Sequence, residues 1–111
     1  MTGIDDWRAL AIFVRDDVGR IVAGVNGDMW ASYLEIKNLW VCDDLRGQGL
    51  GRRLLLAAEQ AARARGCAQV LLDTHGFQAP EFYKKLGYRV CGGFEDIGGR
   101  YNHYYLSKKL G

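Results

Sequence analysis

Leu39–Leu55 reads LWVCDDLRGQGLGRRLL. An apolar run, Leu39-Trp40-Val41, gives way to a polar turn at Asp43-Asp44. The glycine-rich loop Arg46-Gly47-Gln48-Gly49-Leu50-Gly51 follows and opens into a leucine- and alanine-rich stretch. This order reads as strand, loop, helix. Glycine carries no Cβ, so backbone at the loop–helix junction can come close to a ligand. The first N–H groups of a helix have no intrahelical partner, and the helix dipole adds partial positive charge beside them. The junction is therefore suited to an anion such as a phosphate.

The elements around this stretch set the fold. In a helix over Leu50–Arg65, Leu50, Leu54, Leu55, Ala58, Ala61 and Ala62 form one apolar stripe, while Arg52, Glu59, Gln60 and Arg63 lie largely elsewhere. Gly66 suits its C-cap. Ala68–Leu72 is short and almost wholly apolar, as expected of a buried strand parallel to the preceding one with the helix as crossover. Upstream, Ser32–Val41 alternates: Leu34, Ile36, Asn38 and Trp40 share the more apolar face, expected to meet the core, and Tyr33, Glu35, Lys37, Leu39 and Val41 share the other. Trp7–Arg15 and Arg20–Val25 read as strands joined by the turn Asp16-Asp17-Val18-Gly19. Asn26-Gly27-Asp28 is a second turn signal, or a bulge. Short turns make these first strands an antiparallel meander. Downstream come a helix over Ala79–Leu86 with Pro80 in its first turn and Gly87 as its stop, a strand over Tyr88–Gly92, a loop over Phe94–Arg100 and a last strand over Tyr101–Lys108. Met1–Asp6 reads as a lead-in. The whole, residues 1–111, is one α+β domain, an antiparallel meander passing into a parallel βαβ pair, and the crevice at strand ends beside a helix N-terminus is its natural ligand site.

Composition narrows the function. Hydrophobic residues at 49% and charged residues at 25% are ordinary for a globular domain, and a formal charge of +2 is thin for a nucleic-acid binder. No apolar run approaches membrane-spanning length. The first residues show neither the basic nor the apolar region of a signal peptide. Cys42, Cys67 and Cys91 are odd in number and widely spaced, which supports neither a disulfide framework nor a zinc site; they read as mostly buried thiols of a reducing cytoplasm. Fifteen glycines against one proline put the turn-making on glycine. Gly47-x-Gly49-x-Gly51 superficially suggests a dinucleotide fingerprint, but Arg52 stands where the third glycine belongs.

Two motifs resemble the GNAT family of N-acetyltransferases. Arg46-x-x-Gly49-x-Gly51 matches that family's Arg/Gln-x-x-Gly-x-Gly/Ala signature, between a strand and a helix. Phe82-Tyr83-Lys84-Lys85-Leu86-Gly87-Tyr88 is similar to its Leu-Tyr-x-x-x-Gly-Phe segment. The resemblance spans nearly the whole chain. It implies an acyl-CoA N-acyltransferase-like fold, acetyl-CoA as co-substrate, no metal, and direct transfer of the acetyl group to a primary amine, expected on a small molecule. The loop Gly47, Gln48, Gly49, Leu50 and Gly51 would hold the pyrophosphate by its amides, with Arg46, Arg52 and Arg53 available for phosphates. The backbone of Leu39, Trp40 and Val41 would pair with pantetheine, and an N–H there would polarise the thioester carbonyl. Tyr83 matches the tyrosine that protonates the leaving thiolate. Glu35 stands where some members carry a catalytic glutamate; otherwise it is an exposed strand carboxylate paired with Lys37. His75, His103, Tyr101, Tyr104 and Tyr105 are further candidates near the acceptor, each with a plainer reading as solvated, core or interface residues. Cys42 has no paired histidine and is a poor nucleophile candidate.

Two departures from the family pattern stand out. Gly76 occupies the place of an asparagine that contacts the cofactor. The residues before Trp7 leave no room for the usual first strand and two helices that cover the acceptor site. A second chain is the expected replacement, so a homodimer or higher oligomer follows. A non-catalytic acyl-CoA-binding module is the alternative to an enzyme.

Overall fold

The computed structural model describes residues 7–75, 79–95 and 102–111. The expected lead-in Met1–Asp6, Gly76 and the 96–101 segment with Tyr101 lie outside the described residues, as does the side chain of His75. Six strands and two helices follow one another: β1 (Arg8–Arg15), β2 (Ile21–Trp30), β3 (Tyr33–Val41), α1 (Leu50–Ala64), β4 (Gln69–His75), α2 (Ala79–Lys85), β5 (Arg89–Glu95) and β6 (Asn102–Lys109). The sheet order is β1-β2-β3-β4-β6-β5. Among the described strands only β3 and β4 pair in parallel, and α1 is their crossover. The β1–β2 turn is fixed locally: Asp16 Oδ1 accepts the Val18 and Arg20 amides at 3.0 and 2.9 Å, and Oδ2 pairs with the Arg20 guanidinium at 2.9 Å.

α1 forms because its apolar residues recur at helical spacing. Leu54, Leu55, Ala58 and Ala62 are buried against Leu10, Val25, Met29, Leu34, Ile36, Val70 and Leu106 of the sheet. Each buried leucine contributes roughly 1.5–3 kcal/mol. One residue of that face departs from the stripe: Glu59, read from the sequence as lying off the apolar stripe, is only 1% exposed. Its carboxylate is satisfied twice, by the Tyr88 hydroxyl at 2.8 Å and by Lys108 Nζ at 2.9 Å. A buried charge survives only when paired and hydrogen-bonded, and here the pairing ties α1 to β6 and to the residue that enters β5.

Four expectations are corrected. β2 does not stop at Val25. It runs through Asn26-Gly27-Asp28 to Trp30, and the chain reverses instead at Ala31-Ser32, with Ala31 at φ 52°. The register explains why: Asn26 pairs with Asn38 and Gly27 with Ile36, so Lys37 is the extra residue of a bulge in β3. A Cβ on Gly27 would run into the Glu35 carbonyl, so the glycine serves a close approach and not a turn. The bulge also overturns the face assignment of β3. One inserted residue flips the alternation. Leu34 and Ile36 meet the core as expected, but beyond Lys37 it is Leu39 and Val41 that pack on it, while Asn38 and Trp40 (42% exposed) turn away. There Asn38 donates to Asn26 Oδ1 at 3.0 Å. Finally, β5 continues past Gly92 to Glu95, carried across the glycines by a bulge after Val90, and Cys91 on it is exposed where a buried thiol was expected.

Candidate active site

β3 and β4 pair only over Tyr33–Ile36 and Gln69–Leu72. The pairing ends where the bulge begins, so the strands fork from Lys37 and Asp73 onward. β3 continues beside β2 to Val41, while β4 continues beside β6 to His75. Among the described residues, nothing pairs with the β4 side of Asn38–Val41 in the sheet. A strand edge inside the molecule, with free backbone donors and acceptors, is a template for an extended ligand.

The chain after β3 builds the other wall. A single 3₁₀ turn, Asp43–Leu45, delivers the backbone to Arg46. Gly47 (φ 82°) and Gly49 (φ 80°) take left-handed conformations that a side chain would strain, and Gly49 caps α1. The first helical bond runs from the Arg53 amide to the Gly49 carbonyl at 3.0 Å, so the amides of Leu50, Gly51 and Arg52 precede it at the positive end of the dipole. Arg46 is held loosely, 3.3 Å from Asp43 and 3.5 Å from the Val41 carbonyl, and stays exposed, as does Arg52.

Between fork and loop lies a cleft of about 700 Å³. Leu39, Trp40 and Val41 line one side, Arg46, Gly47, Gly49, Leu50, Gly51 and Arg52 the end, and Phe82 and Tyr83 of α2 the other side. The site residues read from the sequence are thus brought together, with two exceptions in placement. Gln48 is exposed in the loop but does not line the cleft. Glu35 lies on the paired part of β3 and lines a second cleft with Lys37, Leu71, Asp73, Cys91 and Tyr105. Its Oε1 is 3.1 Å from Lys37 Nζ, and this contact, with smaller help from Asp28 and Asp73, holds the Lys37 ammonium above the usual lysine range. Cys42 is half-buried, and its amide donates to the Val22 carbonyl at 2.8 Å. Sequence reasoning gave no role to Leu45 or Phe82, which also line the main cleft. Phe82 stood in plain view beside Tyr83 in the motif; that it faces the cleft is set by the helix.

Tyr83 is half-buried, edge-on to Phe82 (5.0 Å) and Tyr88 (5.8 Å). Burial pushes its phenol above the usual tyrosine range, and the Asp73 carboxylate adds to the shift. At neutral pH the phenol keeps its proton, as a proton donor must. Tyr88 is pushed higher still by burial and by Glu59. The arrangement offers anion-binding amides, an unpaired strand edge and a protonated phenol along one cleft. On the face of the sheet away from α1, Asp73 Oδ2 lies 2.8 Å from His103 Nε2, and the His103 ring stacks on Tyr105 at 4.8 Å. Tyr104, by contrast, packs on the core.

Known proteins share this fold. The family profile described as "Acetyltransferase (GNAT) domain" matches residues 8–90. A blasticidin-S acetyltransferase of Streptomyces morookaense is 35% identical over 101 residues, covering 90% of this chain and 74% of that one. A crystal structure of an acetyltransferase from Bacillus cereus superposes with a TM-score of 0.87 at 39% identity, covering 93% of this chain and 74% of the other. An aminoglycoside 6'-N-acetyltransferase complexed with coenzyme A shares the fold, with a TM-score of 0.80 at 19% identity over 92% of this chain and 73% of its own. The profile takes in β1 through the start of β5, and therefore the fork, the glycine loop and Tyr83 together: the chain is an acetyltransferase of the GNAT family.

Proposed function

We propose that this acetyltransferase moves the acetyl group of acetyl-CoA directly to a primary amine of a small, water-soluble acceptor. One observation carries the reading: a single cleft joins the free amides at the α1 N-terminus to the open edge of β3 and ends at Tyr83. In it the Gly47–Arg52 backbone would receive the pyrophosphate, and the β3 edge at Leu39–Val41 would pair with pantetheine and polarise the thioester carbonyl. Arg46 and Arg52 remain available for phosphates. The acceptor ammonium loses one proton to water, and its nitrogen then attacks the carbonyl carbon. As the C–S bond breaks, Tyr83 gives its proton to the leaving thiolate. The second nitrogen proton restores the phenol through solvent, so one proton is released per turnover. The fold neighbour solved with coenzyme A supports the cofactor, and the name of the Streptomyces relative supports a small-molecule acceptor. Glu35, held by Lys37, belongs to the acceptor side of the fork, where it can polarise water near the amine.

Calorimetry with coenzyme A, together with thiol release from acetyl-CoA across a panel of primary amines, tests this reading. Binding plus amine-dependent release, with the acetylated amine found by mass spectrometry, is the expected result. Binding without release from any amine would leave a binding module, and no binding at all removes both. Self-association belongs to the same proposal, since Phe13 (49% exposed) and Trp40 stand together over Gly24 on the face away from α1. A monomer in sedimentation at high micromolar concentration contradicts that part.

A further inference from the structure

We infer that Asp73 is the carboxylate that receives the acceptor ammonium, and that His103 holds it in position at the fork. The inference rests on the acetyl-transfer reading above and adds the residue and the charge that select the acceptor.

The position follows from the register. The last β3–β4 pair is Ile36 with Leu72, so Asp73 is the first residue of β4 beyond the fork, opposite the point where β3 turns away. The thioester and the amine have to meet there, since the cofactor cleft lies on one side of the opening and the second cleft on the other. Asp73 lines the second cleft, a space of about 430 Å³ that also includes Glu35, Lys37 and Tyr105. Its charge is felt on the cofactor side too, because it helps to raise the Tyr83 phenol. No other acidic residue acts on Tyr83 in this way among the described residues. The nucleophile and the leaving-group acid must both lie within a few ångströms of the same carbonyl carbon. By the register of β4, Asp73 stands at that opening.

The two acidic residues of the second cleft are not equivalent. Glu35 stands on the paired segment of β3 and is engaged by Lys37 at 3.1 Å. Asp73 meets His103 through Oδ2, at 2.8 Å, and lines the cleft with Oδ1 left out of that contact. His103 stacks on Tyr105 at an interplanar angle of 26°, and β4–β6 pairing sets Asp73 directly beside Tyr105. Three residues on two neighbouring strands thus fix one oxygen pair. Tyr105 is 46% exposed, and an aromatic ring beside a carboxylate is a wall suited to a cation. The acceptor class that fits is a primary amine carried as an ammonium ion on an otherwise uncharged or cationic small molecule. An anionic amine, such as an amino acid with its free carboxylate, meets Glu35 and Asp73 together and is disfavoured. The charged and titratable side chains described around the site are Asp28 on β2, Glu35 and Lys37 on β3, Cys91 on β5, His103 and Tyr105 on β6, and Tyr83 on α2.

Steady-state thiol release, with acetyl-CoA saturating, tests the inference on the fastest member of an amine panel that includes n-butylamine, a diamine, an amino sugar and glycine. In Asp73→Asn, kcat/KM for the amine should fall about 100-fold, mostly through KM, because a charged hydrogen-bond partner is removed. The dissociation constant of coenzyme A should stay within about threefold, the two sites being separate. His103→Gln, which still offers an N–H to Asp73, should keep most activity. His103→Phe, which keeps the stack on Tyr105 but offers no donor, should raise the amine KM about tenfold. If Asp73→Asn is too unstable to assay, Asp73→Glu keeps the charge but displaces it, and an unchanged amine KM in it also overturns the inference. Turnover by Asp73→Asn at the wild-type KM, or a preference for glycine over n-butylamine, overturns this inference alone. A wild-type enzyme that acetylates no amine overturns the acetyl-transfer reading as well.

Discussion

Gly51→Ala separates the fold's use of the glycine loop from the cofactor's use of it. Gly51 is the second residue of α1, and its φ is not positive. A methyl added there would find Phe82 Cζ at 3.6 Å and Val41 Cγ2 at 3.9 Å, both ordinary contact distances. The fold has room for it. Alanine is a better helix former than glycine by up to about 1 kcal/mol, less in a first turn, so a gain of about 0.5 kcal/mol is expected. In a domain of this size that raises the melting temperature by roughly 2–4 °C. The signature itself admits alanine at this place, and the cofactor's contact here is to the backbone amide, which the substitution keeps. Coenzyme A should therefore bind within about threefold of the wild type, a change of less than about 0.7 kcal/mol. Thermal melts and calorimetry on the same preparation measure both quantities. A gain in stability with unchanged affinity is the expected result. A more stable variant that binds coenzyme A more than about tenfold more weakly would refute the reading that the amide alone is used at this position. A variant destabilised by more than about 1 kcal/mol would refute the steric argument for this position.

Four further outcomes follow from the structure. Gly49→Ala should behave differently from Gly51→Ala, because φ 80° is strained for any side chain; about 1–2 kcal/mol should be lost in urea unfolding, even though nothing lies within 4 Å of the added methyl. Tyr83→Phe should lower kcat about 100-fold while the affinity for coenzyme A stays within about threefold, as kinetics and calorimetry can separate. Folded stability should fall as pH rises past about 10, because the raised phenols of Tyr83 and Tyr88 ionise sooner in the unfolded chain. The linkage contribution is fully present below the unfolded tyrosine pKa and is lost as pH climbs toward the folded values. Each phenol contributes up to about 1.4 kcal/mol per pH unit in that window, so Tyr88→Phe should unfold with a shallower alkaline slope. At neutral pH the same variant should lose about 1–3 kcal/mol, since Glu59 keeps only Lys108 as a partner.

The reach of the sequence was uneven, for physical reasons. α1 and the glycine loop were legible because their signals are local: apolar spacing of the helix, and glycines at a strand–helix junction. Tyr83 was legible through its motif, and its place in the cleft follows from the turn of α2. The open edge at Leu39–Val41 was anticipated only through the family resemblance, as the backbone that would pair with pantetheine. Its cause, the bulge at Lys37, depends on which residue of β2 faces which residue of β3, and alternation within β3 alone pointed Trp40 to the wrong face. The reversal at Ala31-Ser32 carries no glycine or asparagine and so gave no turn signal, while Asn26-Gly27, which did give one, serves the bulge. Glu59 was hidden for a related reason. A carboxylate on a helix reads as solvated unless its partners are known, and Tyr88 and Lys108 are remote in sequence. Asp73 had no part in the acetyl-transfer reading of the sequence until the register placed it at the fork and beside His103.

The central claim is that the amides after Gly47 and the open edge of β3 receive the two halves of one cofactor. Backbone ¹H–¹⁵N NMR during titration with coenzyme A tests it most directly. The largest shifts are expected at Gly47, Gly49, Leu50, Gly51 and Arg52 and along Leu39–Val41, with β1 little changed. Saturation with coenzyme A that leaves those amides unmoved, or that shifts only residues remote from the cleft, contradicts it.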